Sequence, residues 1–290
     1  MSLSDLLDVP LHPLSLGDPA GAEVSFAEVQ GGRVRILRRR GPGRPVVLLP
    51  GFGAPILPWD DCHRRVMDHA DYILVETLEK SSGPLTDRDA VDLSVGGLAR
   101  QVAAALAHLK LEHAAILGSC HGGSVLLEGL KLGVLRPELA VAFDPMERLY
   151  VPSWLTEWVG PALPSSLLGA LRAPVGALML RRMQEPHQKA RVKAFIDSAD
   201  PWRWQRAARQ TAPFRLLGNL SSIAQEVLVF AGSTDDIHQP DVARSIAAEL
   251  PQGRFFHVPV DETRREALVA ALARAMSAGQ LLSTFAPYES

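Results

Sequence analysis

The stretch Ala114-Ala115-Ile116-Leu117-Gly118-Ser119-Cys120-His121-Gly122-Gly123 decides how this chain is read. Its first four residues are an apolar run of the kind that forms a strand buried on both faces. The run leads directly into Gly118, and Ser124 to Leu132 then reads as a helix. The turn between them has the form Gly-x-Cys-x-Gly-Gly. A nucleophile on a sharp strand-to-helix turn sits in strained backbone, and residues two places to either side must be very small to avoid collision. The helix N-terminus that follows offers free N–H groups and the positive end of a dipole. Both lower a thiol pKa and stabilise a developing oxyanion.

Working outward, similar short apolar runs recur at Val46-Leu49, Tyr72-Val75, Ala140-Phe143, Val227-Phe230 and Arg254-Val260. Helical patterns separate them: Val91 to Leu109, Ser124 to Leu132, Val242 to Leu250 and Glu262 to Met276. Strand and helix in alternation predict an α/β fold, a mostly parallel central sheet with helices on both faces. Residues 151–220 break the alternation and hold Trp154, Trp158, Trp202 and Trp204 with seven prolines. They read as a helical lid inserted into a core made of residues 1–150 and 221–290. The aromatics either line an apolar substrate pocket or pack the lid onto the body. The first strand ends at Pro50-Gly51-Phe52-Gly53, and the Phe52 N–H can pair with that of His121 as an oxyanion hole.

A chain of 290 residues that is 47% hydrophobic can bury a large core without disulfide or metal staples. Its net charge of -2 gives no field for non-specific nucleic-acid binding. Two cysteines, Cys62 and Cys120, exclude a disulfide scaffold and a thiolate-rich zinc site. Arg33, Arg35, Arg38, Arg39, Arg40 and Arg44 cluster on an alternating segment that reads as a half-exposed strand near a sheet edge. There is no signal-peptide pattern and no apolar run long enough to span a membrane. The expectation is a soluble, cytoplasmic protein with no cofactor and no metal.

These residues resemble the α/β-hydrolase superfamily from about Val24 to Met276. Most members carry serine at the turn; the Gly-x-Cys-x-Gly-Gly form is similar to polyhydroxyalkanoate synthases and dienelactone hydrolases. Ile223 to Asp235 is similar to the family's seventh strand and acid loop. The resemblance implies Asp235 as the triad acid, with Asp236 beside it and Asp144 as the other candidate. Asp241 reads as a helix cap instead.

The family pattern places a histidine after the last strand, near Thr263, and this chain has none there or beyond. Three readings stand. His257 serves if the strand ends early, although its place in Phe255-Phe256-His257-Val258 argues for packing or solvent. His238, three residues past Asp235, has taken over as base. Or no base exists, which a thiol tolerates better than a hydroxyl. The His121 side chain is expected to point away along the turn. His63, His69, His108 and His113 read as structural, as does Cys62, since a Cys-His neighbour pair on a helix does not face itself. The site expected is Cys120 with Asp235 and His238, and the substrate a small ester or acyl thioester with an apolar portion. The competing expectation is a catalytically silent fold that binds a ligand or partner.

Overall fold

Eight strands form one sheet: β1 (Glu23–Val29), β2 (Gly32–Arg39), β3 (Pro45–Leu49), β4 (Asp71–Glu76), β5 (Ala115–Ser119), β6 (Ala140–Phe143), β7 (Val227–Ala231) and β8 (Gly253–His257). The computed structural model describes residues 21–52, 66–80, 82–149, 164–182, 189, 193, 196–232, 238–261 and 264–289. Strand order is β1-β2-β4-β3-β5-β6-β7-β8. β1 and β2 pair antiparallel, as do β2 and β4, and every later pair is parallel.

The central residues of the parallel strands β3 to β7 are apolar because both faces are covered. Val47, Leu49, Ile73, Val75, Ile116, Ala142 and Val229 face one core, shared with α1 (Val95–Leu109), α2 (His121–Lys131) and α5 (Pro240–Glu249). Their alternates Leu48, Tyr72, Leu74, Leu117, Val141, Phe143, Leu228 and Phe230 face a second core. That one is closed by α6 (Arg265–Ser277) and α7 (Leu281–Phe285). Side chains that alternate along a strand thus feed two helical layers.

Between β6 and β7 lie α3 (Ser165–Arg182), which carries Pro174 within it, and α4 (Pro201–Thr211). Asp200 caps α4 by accepting from the N–H groups of Trp202 and Arg203. Arg203 reaches from α4 to the loop after β4, donating to the carbonyls of Leu78, Lys80 and Gly83 at 2.7 to 3.0 Å. Trp202 packs against the first core, with Arg88 and Arg206 over its ring. Packing onto the body is therefore what this tryptophan does; Trp154 and Trp158 lie outside the described residues.

Some boundaries differ from the sequence expectation. α1 begins at Val95, not Val91, because Ser94 takes the cap and Asp92 binds the Ser94 N–H ahead of it. β8 stops at His257, two residues before Pro259, which has no N–H to give a ladder. Asp241 sits inside the first turn of α5, and Gln239 holds the cap position. β1 had no sequence signal at all: only Ala27 on it is buried. The arginine cluster lies on β2 and just beyond it. Arg35 pairs with Glu76, Arg38 with Asp71, Arg39 with Asp68 and Arg40 with Glu23, so acids from neighbouring segments balance the charge.

Candidate active site

Cys120 sits between β5 and α2 with φ 54° and ψ -120°. A positive φ is costly for a residue with a Cβ, and such strain persists only where the surroundings enforce it. Two glycines enforce it here. A Cβ on Gly118 would stand 2.4 Å from the Gly122 carbonyl oxygen, and one on Gly122 would stand 2.0 Å from that of Leu49. The turn is thereby clamped against the end of β3. The Cys120 N–H donates to Phe143 O at 2.9 Å, which ties it to β6 as well.

Cys120 as a residue is partly exposed. Gly51, in the loop after β3, lies close enough that a Cβ there would be 3.8 Å from Cys120 Sγ. Burial pushes the thiol pKa up. A side-chain hydrogen bond with His238 and its charge, the Arg265 charge, and the His121 N–H outweigh burial and bring the pKa below its ordinary value. His238, just ahead of α5, is thus the imidazole that acts on the thiol. His257 does not: it is half-buried on β8, its ring 6.4 Å from that of Phe255. Asp235, with Asp236, lies outside the described residues, as do Cys62 and His63.

Phe52 and His121, the residues expected to supply the oxyanion donors, touch through their side chains. The Phe52 and His121 rings meet edge to face, with centroids 5.2 Å apart. The His121 side chain does not run out along the turn. It is buried, facing a cavity with room for about one water molecule. Leu49, Val75, Val102 and Val125 give that cavity an apolar wall, and Thr77, Glu79 and Lys80 give it a polar one. Burial, more than the opposing charge of Glu79, drives the His121 pKa from 6.5 down to about 4. The imidazole is therefore neutral at physiological pH. Glu79 and Lys80 form an ion pair with both side chains 1% exposed. Burial would raise the Glu79 pKa, but Lys80 and Thr77 together bring it below the ordinary carboxylate value.

Two residues not selected as a pair from the sequence complete the surroundings. Arg265, the first residue of α6, donates from Nε to Asp144 Oδ2 at 3.1 Å and from Nη2 to Ser119 Oγ at 3.3 Å. Asp144 Oδ1 accepts the Gly232 N–H at 3.0 Å. Asp144 therefore orients an arginine, where the sequence had weighed it as a partner for a histidine. The available signal was Arg264-Arg265 in the very segment searched for an imidazole. Among the described residues no cluster of His, Cys, Asp and Glu is placed to hold a metal ion, and no helix is long and apolar enough to cross a membrane.

No protein-family model and no curated protein sequence matches the chain. Solved structures do. A hydrolase from Pseudomonas aeruginosa PA01 superposes with TM-score 0.70 at 19% identity, over 92% of this chain and 99% of that one. A thermophilic esterase from Thermogutta terrifontis gives TM-score 0.68 at 18% identity, over 92% and 100%. The enol-lactonase from Burkholderia xenovorans LB400 gives 0.67 at 16%, over 86% and 98%. Together with the strand order and the turn at Cys120, this likeness identifies the architecture as the α/β-hydrolase fold.

Proposed function

We propose that the chain is an ester- or thioester-cleaving enzyme whose nucleophile is Cys120. The observation that carries this reading is a cysteine at positive φ on a helix N-terminus, held there by Gly118 and Gly122, with a histidine and an arginine lowering its thiol pKa. Similarity in fold to an esterase and a lactonase supports acyl chemistry as the reaction class. In the first step His238 takes the thiol proton and sulfur attacks the carbonyl carbon. The bond to the leaving group breaks, and His238 returns the proton to that group. Water or an alcohol then gives its proton to His238 and its oxygen to the acyl carbon. The thioester C–S bond breaks, and the proton returns to sulfur. The N–H groups of Phe52 and His121 receive the oxyanion in both steps. Asp235 is the acid that orients His238, and residues 151–220 form a lid over the apolar part of the substrate.

The test is labelling with an activated acyl thioester and with iodoacetamide, the adduct located by mass spectrometry. Cys120 should label faster than Cys62 and faster than free cysteine, and the adduct should vanish in Cys120→Ala. A Cys120 no more reactive than a model thiol sinks the reading and leaves a fold that only binds.

A further inference from the structure

The segment after β8, where the resemblance calls for a histidine, presents a largely covered arginine to the turn at Cys120. The Arg265 side chain is 12% exposed and its partner Asp144 2%. Its guanidinium touches what flanks Cys120 on two sides. Nη2 donates to Ser119, the residue before it. The group also lies 4.9 Å from the centre of the Phe143 ring, and the Phe143 carbonyl accepts the Cys120 N–H. Asp144 fixes the position: one oxygen binds Arg265 Nε, the other is held by Gly232, and its own φ of 44° shows that the backbone is constrained there. The third nitrogen, Nη1, is 3.4 Å from Glu266 Oε1.

We propose that Arg265, positioned by Asp144, is the counter-ion of Cys120 and stabilises the thiolate formed when the thiol proton passes to His238. This deepens the reading of Cys120 as nucleophile and rests on it. A guanidinium holds its proton under all relevant conditions, so it cannot serve as a base. It can lower the energy of an adjacent negative charge, and a thiol needs little more to become a nucleophile. A serine at this position would gain no comparable help, since its hydroxyl requires a base to remove its proton. The choice of cysteine at the turn and of arginine after β8 therefore belong together.

The charged groups around the sulfur come from several elements. His238 approaches from ahead of α5 and Arg265 from α6, while the His121 N–H lies on α2 itself. Asp144 and Glu266 face Arg265, and Glu79 and Lys80 face the far side of His121. Burial alone would lower the Arg265 pKa, but Asp144, Glu266 and Cys120 together raise it, as expected of a cation among anions.

The thiolate can be read directly by its absorbance near about 240 nm during a pH titration, in a Cys62→Ser background so that one thiol titrates. Arg265→Gln should move the inflection up by about one pH unit and slow iodoacetamide alkylation at neutral pH about tenfold. Arg265→Lys keeps the charge and should stay near the wild-type inflection. If Arg265→Gln leaves Asp144 unpaired and fails to fold, the double variant Asp144→Asn with Arg265→Gln removes both charges together and should still titrate higher than wild type. A folded Arg265→Gln or double variant that titrates at the wild-type pH overturns the proposal. That outcome is distinct from failure of the functional reading, in which wild-type Cys120 itself does not outpace a model thiol.

Discussion

Acid should destabilise this protein through His121. The imidazole is 2% exposed, packed edge to face on Phe52 and walled by Val102 and Val125. Its pKa in the fold is about 4, against 6.5 for the free side chain. Between these values the unfolded chain binds a proton that the native chain refuses, so stability rises with pH across the window. The contribution is complete above the unfolded value and is lost as pH falls toward the folded one. A drop of this size corresponds to about 3 kcal/mol in all, of which about 2 kcal/mol is gone by about pH 5. That is a large part of a typical stability of about 5–15 kcal/mol. The assay is urea denaturation followed by circular dichroism, in steps from about pH 7.5 to about pH 5, on wild type and His121→Gln. The wild type should lose about 2 kcal/mol more than the variant over that range. Parallel pH profiles would show that the imidazole is not a buried neutral group, and the account of the cavity behind the turn would fail with it.

The Glu79–Lys80 pair offers a second test in the same cavity. Glu79→Gln leaves the Lys80 ammonium with Thr77 Oγ1 at 3.2 Å and only the charge of Glu76, which Arg35 already pairs, so the cost should be about 3 kcal/mol. Adding Lys80→Met should restore most of that, and a double-mutant cycle with no coupling would refute the pairing. A depressed Glu79 pKa contributes stability above the ordinary carboxylate value and loses it as pH falls below, at the acid end of the His121 window. At the turn, Gly122→Ala drives a Cβ into the Leu49 carbonyl and should cost about 3 kcal/mol or more. Gly133→Ala meets nothing within 4 Å and bears only the left-handed φ of 66°, so about 1 kcal/mol is expected. Thermal melts of the two should separate them clearly; equal losses would mean that the clamp on Cys120 is not steric.

What could be read from the sequence follows burial. Val46-Leu49, Tyr72-Val75 and Val227-Phe230 lie wholly within β3, β4 and β7, because a strand covered on both faces carries a continuous apolar run, with charges such as Asp71 and Glu76 only at its ends and paired. β1 escaped because it is an edge strand with Val24 and Phe26 exposed, and the solvent imposes no pattern on it. Helix starts were misplaced where caps rather than apolar spacing decide them, as at Ser94. The turn at Cys120 was legible because its geometry depends on residues adjacent in the chain: Gly118 and Gly122 are needed for local steric reasons.

The rest of the site was not local, and this is where sequence reasoning stopped. Asp144 after β6 and Arg265 at the start of α6 meet only once the parallel sheet has brought the ends of β5, β6 and β7 side by side. Looking for a histidine near Thr263 was the right place and the wrong residue. An acid–imidazole pair and an acid–arginine pair can occupy the same ground with opposite consequences. The imidazole takes a proton and gives it back; the guanidinium does neither and only holds charge. In the proposed mechanism proton transfer comes from elsewhere, from His238 ahead of α5, which acts on the thiol. In the proposed mechanism the departure from the familiar triad divides one residue's work between two: a fixed cation that stabilises the thiolate, and a titratable ring that moves the proton.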